Sequence, residues 1–237
     1  MRETSTRPWM RKIMRMLRAG FDIFIPPLCM GCNRMGATWC EVCQKALLAP
    51  AGSSCPSCGL PRIHRTCPAC GSGLKSLRVR AIASYTPPLS DALVSFKYRP
   101  DMAFADILAY WLQLKLDELH WKPDVLIPVP LNKVRLQQRG YNQVALITSA
   151  LARSTNIPHN CSSLFRVRDT RSQVGLDPAA RFANLDQAFM AEPGALRDQK
   201  VLLVDDLLTT GATILSCTDA LIDAGASWVF AIAIARA

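Results

Sequence analysis

The stretch VLLVDDLLTTGAT, residues 201–213, ends a run of apolar residues with two adjacent carboxylates, Asp205 and Asp206. Hydroxyl residues and a glycine follow, and a helical pattern then begins. A strand that leads through such a turn into a helix leaves unpaired backbone N–H groups and the positive end of the helix dipole at the turn. These groups suit a phosphate. The stretch therefore predicts a ligand site at the end of a buried strand.

The two carboxylates need a separate explanation, because they would repel a phosphate placed directly beside them. They are suited to accept hydrogen bonds from sugar hydroxyls nearby, so a ribose 5-phosphate unit fits the whole stretch. The P-loop pattern GxxxxGK[ST] is absent. A helix that merely follows a core strand needs only one capping side chain, so the paired carboxylates favour a binding site.

Strand and helix patterns alternate along residues 76–237, which predicts a parallel α/β sheet. The predicted strands are residues 77–85, 124–130, 200–206 and 227–235, and the predicted helices are residues 89–98, 101–119, 141–155 and 211–224. Ligands of such sheets bind beyond the carboxyl ends of the strands, which is where Asp205 and Asp206 would lie.

The basic charge of the chain is concentrated near its start. The net charge is +10, and residues 1–75 carry eleven Lys/Arg against three Asp/Glu. This asymmetry is typical of proteins that meet a polyanion, either nucleic acid or a membrane surface. Residues 7–20 fit a basic amphipathic helix for such a partner, and equally a helix that packs on the rest of the protein. The sequence shows no secretory signal and no stretch that would span a membrane, so we expect a cytoplasmic protein.

Eight of the ten cysteines form four C-x-x-C pairs within residues 29–70. A two-residue gap lets both sulfurs of a tight turn reach one ion, and two such turns complete a tetrahedral site with four cysteine ligands. We therefore predict two structural zinc ions, bound by Cys29, Cys32, Cys40, Cys43, Cys55, Cys58, Cys67 and Cys70. Sequential pairing of the turns is favoured over a cross-brace, because the spacers allow a hairpin-like return. Redox motifs or disulfides are the alternative interpretation.

From about Cys29 onwards the chain resembles the ComF/GntX family over nearly its whole length. The motifs that carry the resemblance are the cysteine pairs with CPSCGLP at 55–61, FKY at 96–98, IPVPLNKVRLQQRGYNQ at 127–143, RVRDTRSQVGLDPAARFANL at 166–185, and the 201–213 stretch. The last of these is similar to the signature with which type I phosphoribosyltransferases bind phosphoribosyl pyrophosphate (PRPP).

The resemblance implies a type I phosphoribosyltransferase-like parallel α/β sheet with an N-terminal zinc-ribbon module of four-cysteine sites. It divides the chain into a basic N-terminal helix or extension (1–26), a double zinc ribbon (27–75) and a phosphoribosyltransferase-like domain (76–237). Residues 166–181 resemble the mobile loop that closes over PRPP. Lys97 is expected either in the same cleft or on the surface beside the core.

The resemblance also implies roles for individual residues. The implied PRPP-binding residues are Asp205, Asp206, Thr209, Thr210, Gly211, Ala212 and Thr213, with the two carboxylates on the ribose hydroxyls and the rest on the 5′-phosphate. The residues implied to contact pyrophosphate are Lys133, Arg135, Arg139, Arg166 and Arg168. Mg²⁺ would accompany PRPP. No catalytic residue can be assigned.

Two functions remain open. The resemblance implies a PRPP-binding protein of DNA uptake, natural competence or the use of external DNA, with single-stranded DNA and other DNA-uptake proteins as partners. The alternative is an active phosphoribosyltransferase of nucleotide metabolism, in which an unknown acceptor displaces pyrophosphate from PRPP. The chain starts Met-Arg-Glu, so we expect no N-terminal cysteine nucleophile for glutamine hydrolysis and no amidophosphoribosyltransferase activity.

Overall fold

The computed structural model describes residues 26–62, 66–167 and 188–237. Its strands are β1 (Leu77–Ser84), β2 (Val125–Pro128), β3 (Leu164–Arg166), β4 (Phe189–Ala191), β5 (Lys200–Leu208) and β6 (Trp228–Arg236). Its helices within those ranges are α1 (Glu41–Lys45), α2 (Pro68–Gly71), α3 (Leu89–Phe96), α4 (Met102–Glu118), α5 (Lys133–Arg139), α6 (Gln143–Thr155) and α7 (Ala212–Asp223). None of these helices is long and apolar enough to cross a membrane.

Four of the strands form one parallel sheet in the order β1–β6–β5–β2, which confirms the predicted sheet. Strand β5 runs to Leu208, two residues beyond its predicted end, because Leu208 still pairs with Arg236 of β6. Strand β2 is shorter than predicted and stops at Pro128. The last ladder bond runs from the Val129 N–H to the Val204 carbonyl at 2.9 Å, and the Val129 carbonyl then accepts from the Asn142 side chain at 3.0 Å instead of from β5.

Both faces of the sheet are covered, which explains why β5 is apolar at nearly every position before its carboxylates. On one face, Leu202 and Val204 belong to a core that includes residues of α3, α4 and α6. On the other, Val201 and Leu203 pack in a core with α7 and β4. The alternation of side chains along a strand assigns successive residues to opposite faces.

The sequence patterns missed the antiparallel pair β3–β4 and helix α5. Strands of three residues are too short to show a period. Helix α5 buries no residue, so it has no apolar stripe to detect. Its signals are its caps: Asn132 accepts from the N–H groups of Val134 and Arg135, and Gly140 ends the helix in a left-handed conformation.

Candidate functional site

The side chains of Asp205 and Asp206, near the carboxyl end of β5, leave the strand on opposite faces, yet the two carboxylates remain close enough to interact with each other. Asp206 faces the α6 side, where it meets Gln143. Asp205 faces the α7 side, near Cys217. Burial is the larger cause that raises the pKa of the Cys217 thiol, and the charge of Asp205 raises it further. The two neighbouring residues therefore belong to different faces of the sheet at their backbone, while their carboxylates lie near each other close to the end of the strand.

Asp206 is held by a polar network. Its Oδ2 lies 3.1 Å from the Lys97 ammonium and accepts a 2.9 Å hydrogen bond from the Gln143 amide. Arg139 donates in turn to the Gln143 carbonyl at 3.3 Å. Asp206 is only 8% exposed and Gln143 only 3%. Because both contacts to Asp206 use Oδ2, they orient the carboxylate without involving Oδ1.

Gln143 was not among the predicted site residues. The sequence carries one signal for it: a polar residue that begins helix α6 beside Val144, on the face that becomes buried. A buried amide must find partners, so its position next to the apolar stripe could have marked it. What the sequence could not supply is the partner, which lies on a distant strand.

Asp205 is a carboxylate in surroundings that disfavour its charge. Burial raises its pKa well above the ordinary value, and the neighbouring charge of Asp206 raises it further. The backbone N–H of Asp206 donates to Asp205 Oδ1 at 2.9 Å and opposes this effect, as does the charge of Lys97. The negative charge of Asp205 is therefore costly, and hydrogen-bond donors from a ligand would reduce that cost.

The turn after β5 has the geometry expected for close contact with an anion. Gly211 has a φ of +83°, a left-handed conformation that glycine adopts at no steric cost, and α7 begins at the next residue. Thr210 is 6% exposed, and its hydroxyl accepts from the Ala212 N–H at 3.3 Å. Thr209 and Thr213 are partly exposed on either side. The predicted 209–213 set thus lies together at the carboxyl edge of the sheet.

Four of the five basic residues predicted for pyrophosphate lie among the described residues, and they fall into three groups. Arg139 joins the Asp206 network through Gln143, whereas Lys133 and Arg135 are exposed on the same helix α5. Arg166 stacks on Phe189 with 5.3 Å between its guanidinium carbon and the ring centroid.

Arg166 lies on the α7 side of the sheet, because its strand β3 packs against that helix, and its charge lowers the pKa of Cys217 in α7. Arg168 and most of the predicted closing loop, 166–181, lie outside the described residues.

The eight clustered cysteines form two groups, as the sequential pairing predicts. The first cysteine cluster is Cys29, Cys32, Cys40 and Cys43, and the second cysteine cluster is Cys55, Cys58, Cys67 and Cys70. Within each cluster all four sulfurs lie within 4.8 Å of one another. The shortest separations are 3.5–3.7 Å. A tetrahedral zinc ion about 2.3 Å from each sulfur would separate the sulfurs by about 3.8 Å, so both clusters fit zinc.

One thiol in each cluster is prepared to lose its proton, whereas burial raises the pKa of another thiol of the same cluster. Burial raises the pKa of Cys29, but backbone N–H groups, first that of Cys40, outweigh burial and lower it to about 6. In the second cluster the N–H groups of Cys58 and Ser57 likewise outweigh burial and lower the pKa of Cys55 to about 6. The thiolate is the form that binds metal. Each cluster can thus hold a structural zinc ion with four sulfur ligands and no open position.

Known proteins are similar to this chain over most of its length. No protein-family model matches the chain. DNA utilization protein YhgH of Escherichia coli strain K12 is 32% identical over 220 residues, which cover 86% of this chain and 95% of YhgH. The chain belongs to the ComF family. Competence protein F of Haemophilus influenzae is another relative of this ComF-family chain, 32% identical over 186 residues that cover 74% of the chain and 80% of the relative.

Solved structures resemble the ComF-family chain more distantly. Adenine phosphoribosyltransferase of Leishmania tarentolae is 15% identical, with a TM-score of 0.38, and the match covers 61% of this chain and 74% of that one. A similarity of this size carries no argument about ligand or reaction. The case for either must come from the site itself.

Proposed function

We propose that this ComF-family protein binds PRPP with Mg²⁺ at the carboxyl edge of its sheet and acts in DNA uptake or the use of external DNA. The observation that carries the proposal is the polar network around Asp206, placed beside the glycine turn that leads into α7. The names of the relatives, DNA utilization protein and competence protein F, support the biological setting.

The proposed ribose contacts follow from the orientation of the two carboxylates. Lys97 and Gln143 hold Asp206 through one oxygen, so the other is suited to accept from a ribose hydroxyl. Asp205 is destabilised as a free carboxylate and would gain from a second hydroxyl donor. A sugar with two adjacent hydroxyls matches this arrangement.

The proposed phosphate contacts follow from the turn and from the nearby cations. The first N–H groups of α7 and the hydroxyls of Thr209, Thr210 and Thr213 are suited to the 5′-phosphate. Arg139 and Arg166, one on each side of the strand end, would offset the charge of the pyrophosphate. Mg²⁺ supplies further charge compensation when it is bound with PRPP.

The binding site can be tested by thermal unfolding with PRPP and Mg²⁺. At a hundredfold excess over the dissociation constant we expect the midpoint to rise by about 5–10 °C. Asp205→Asn combined with Asp206→Asn should abolish the shift, and Glu192→Gln, outside the proposed site, should leave it unchanged. An undiminished shift in the double variant would refute the site.

The nucleic-acid part of the proposal needs its own measurement. The basic charge in residues 1–75 predicts single-strand binding that weakens steeply as salt rises. Absence of binding at low salt would contradict it.

Release of pyrophosphate from PRPP, with and without single-stranded DNA and candidate acceptors, tests the alternative of an active phosphoribosyltransferase. Turnover would establish an enzyme, and binding without turnover would favour a PRPP-responsive protein.

A further inference from the structure

Leu60 lies in the segment of the second cysteine cluster and directly contacts the turn 209–213, which is proposed to hold the 5′-phosphate and is called the phosphate turn below. A Cβ atom built on Gly211 would be 2.4 Å from Leu60 Cδ2 and 3.5 Å from Pro61 Cδ. The Leu60 side chain therefore occupies the space that any larger residue at 211 would need. Leu60 is only 1% exposed, so this contact closes the back of the turn against water.

The position of Leu60 is set by the cysteine turn that precedes it. The Cys55 N–H donates to the Leu60 carbonyl at 2.8 Å, and the Gly59 N–H donates to the Cys55 carbonyl at 2.9 Å. These bonds form a tight turn whose two sulfurs, Cys55 and Cys58, belong to the second cluster. A metal ion there would join this turn to Cys67 and Cys70, and so hold Leu60 in place.

The same turn is attached to the sheet at two points. The Val79 N–H of β1 donates to the Cys58 carbonyl at 2.6 Å. Arg236, at the end of β6, donates to the Ser53 carbonyl at 2.7 Å and to the Ser54 hydroxyl at 2.6 Å. Because both attachments are to strands of the sheet that carries the 209–213 turn, the second cluster and this turn have a common support, and Leu60 lies between them.

The first cysteine cluster has different neighbours. Trp39, next to Cys40, packs on Phe104 and Trp111 of α4, and a Cβ on Gly31 would meet Pro88 at 2.8 Å. These contacts lie on the outer helices, whereas the phosphate turn meets the second cluster. The two clusters should therefore differ in their effect on ligand binding.

We propose that metal in the second cysteine cluster, acting through Leu60, positions the 209–213 turn and thereby sets the affinity for a sugar phosphate such as PRPP. The proposal rests on the proposed function and adds metal control of the same site. Leu60 is a positioning residue, since it acts through Gly211. Because coupling between two binding sites is reciprocal, the sugar phosphate must also hold the metal in the second cluster.

The first test measures PRPP affinity by calorimetry on the full chain with Mg²⁺. Leu60→Ala should weaken binding about 10- to 100-fold, the loss typical of a displaced binding group. Leu60→Met, which conserves volume, should restore most of it. Cys70→Ser should weaken binding strongly, whereas the matched variant Cys32→Ser in the first cluster should bind nearly as well as the wild type. Circular dichroism and zinc content would verify the fold of each variant.

The second test needs no change at Leu60, so it applies even if Leu60→Ala fails to fold. Zinc release to a chelator is followed in Cys32→Ser, which keeps the second cluster, and in Cys70→Ser, which keeps the first. PRPP with Mg²⁺ should slow release from Cys32→Ser and leave Cys70→Ser unaffected. Inorganic phosphate should reproduce part of the protection.

The outcomes separate the two proposals. If the wild type does not bind PRPP, the proposed function fails and this inference with it. If the wild type binds PRPP but Cys70→Ser binds it as tightly, or PRPP leaves zinc release from Cys32→Ser unchanged, the metal coupling is refuted and the proposed function stands.

Discussion

The two cysteine clusters have the same four ligands and similar spacing, yet they are attached to the rest of the protein in different ways. The first cluster is attached through aromatic packing: Trp39 has ring centroids 5.8 Å from Phe104 and 5.5 Å from Trp111. The second is attached through backbone: Cys58 accepts from the β1 strand, and Gly59 lies against the Val79 carbonyl. Identical ligand sets therefore do not imply identical roles.

The difference concerns how tightly each contact defines a position. Aromatic rings can shift by tenths of an ångström and keep most of their contact energy. A backbone hydrogen bond and a glycine that touches a carbonyl allow much less movement. The first cluster therefore fits a role in attachment, and the second has the geometry needed to define the shape of a neighbouring binding site.

The largest expected effect is at the backbone contact of the second cluster. A Cβ on Gly59 would lie 2.1 Å from the Val79 carbonyl oxygen, and Gly59 has a φ of +89°. Gly59→Ala should lower the free energy of unfolding by more than about 3 kcal/mol, because no side-chain rotation relieves a clash with backbone. Urea denaturation of the zinc-loaded protein would measure it.

The matched control is Gly36→Ala, in the segment of the first cluster. Gly36 also has a positive φ, +117°, but a Cβ there would meet nothing within 4 Å. Only backbone strain remains, so we expect a loss of about 1–2 kcal/mol. If Gly59→Ala and Gly36→Ala lost the same free energy of unfolding, the backbone contact of the second cluster would not be a tighter attachment than those of the first.

The next effect is at the aromatic contact of the first cluster. Trp39→Ala should cost about 2–3 kcal/mol of stability, less than a fully buried tryptophan because Trp39 is partly exposed. PRPP affinity should change little, since Trp39 packs on α4. Trp39→Phe should recover part of the stability. A loss of PRPP affinity with retained stability would show that the first cluster also acts on the site.

A somewhat smaller effect is expected where Arg236 ties the second cluster to β6. Arg236 is 9% exposed and donates to Ser53 and Ser54. Arg236→Ala should cost about 2 kcal/mol, because those acceptors lose a charged donor. Arg153→Ala, which breaks an exposed pair with Asp106, should cost under about 1 kcal/mol. Thermal unfolding of both variants tests whether the buried hydrogen bonds of Arg236 contribute more stability than the exposed ion pair of Arg153.

The smallest expected effect is an increase in stability rather than a loss. Asp205→Asn removes a carboxylate whose pKa is raised by burial and by Asp206, so the protein without ligand should gain about 1 kcal/mol. A raised carboxylate pKa means that the charged form destabilises the fold. The stability gain of Asp205→Asn over the wild type should therefore reach its maximum at a pH well above that pKa. It should shrink as the pH falls towards the pKa, because the wild-type carboxyl then becomes protonated as well.

Unfolding midpoints of Asp205→Asn and the wild type across a pH series would measure this gain. A loss of stability at neutral pH would show that Asp205 supports the fold rather than a ligand.

Much of the fold and part of the site could be predicted without coordinates. The parallel sheet and the two cysteine sets agree with the structure, and Asp205 and Asp206 lie near the carboxyl end of β5, although the strand continues to Leu208 rather than ending at the carboxylates. The short pair β3–β4 and helix α5 were missed, because three-residue strands and a helix with no buried face lack a periodic signal. The predicted closing loop lies mostly outside the described residues.

The sequence by itself determined what depends on spacing along the chain: which cysteines cluster, which buried strand carries the paired carboxylates, and where a glycine turn starts a helix. Only the tertiary structure decided that Lys97, Gln143 and Arg139 converge on Asp206, and that Leu60 lies against Gly211. Contacts between segments far apart in the chain depend on how sheet, helices and cysteine turns pack in three dimensions. A local pattern carries no record of its distant partner.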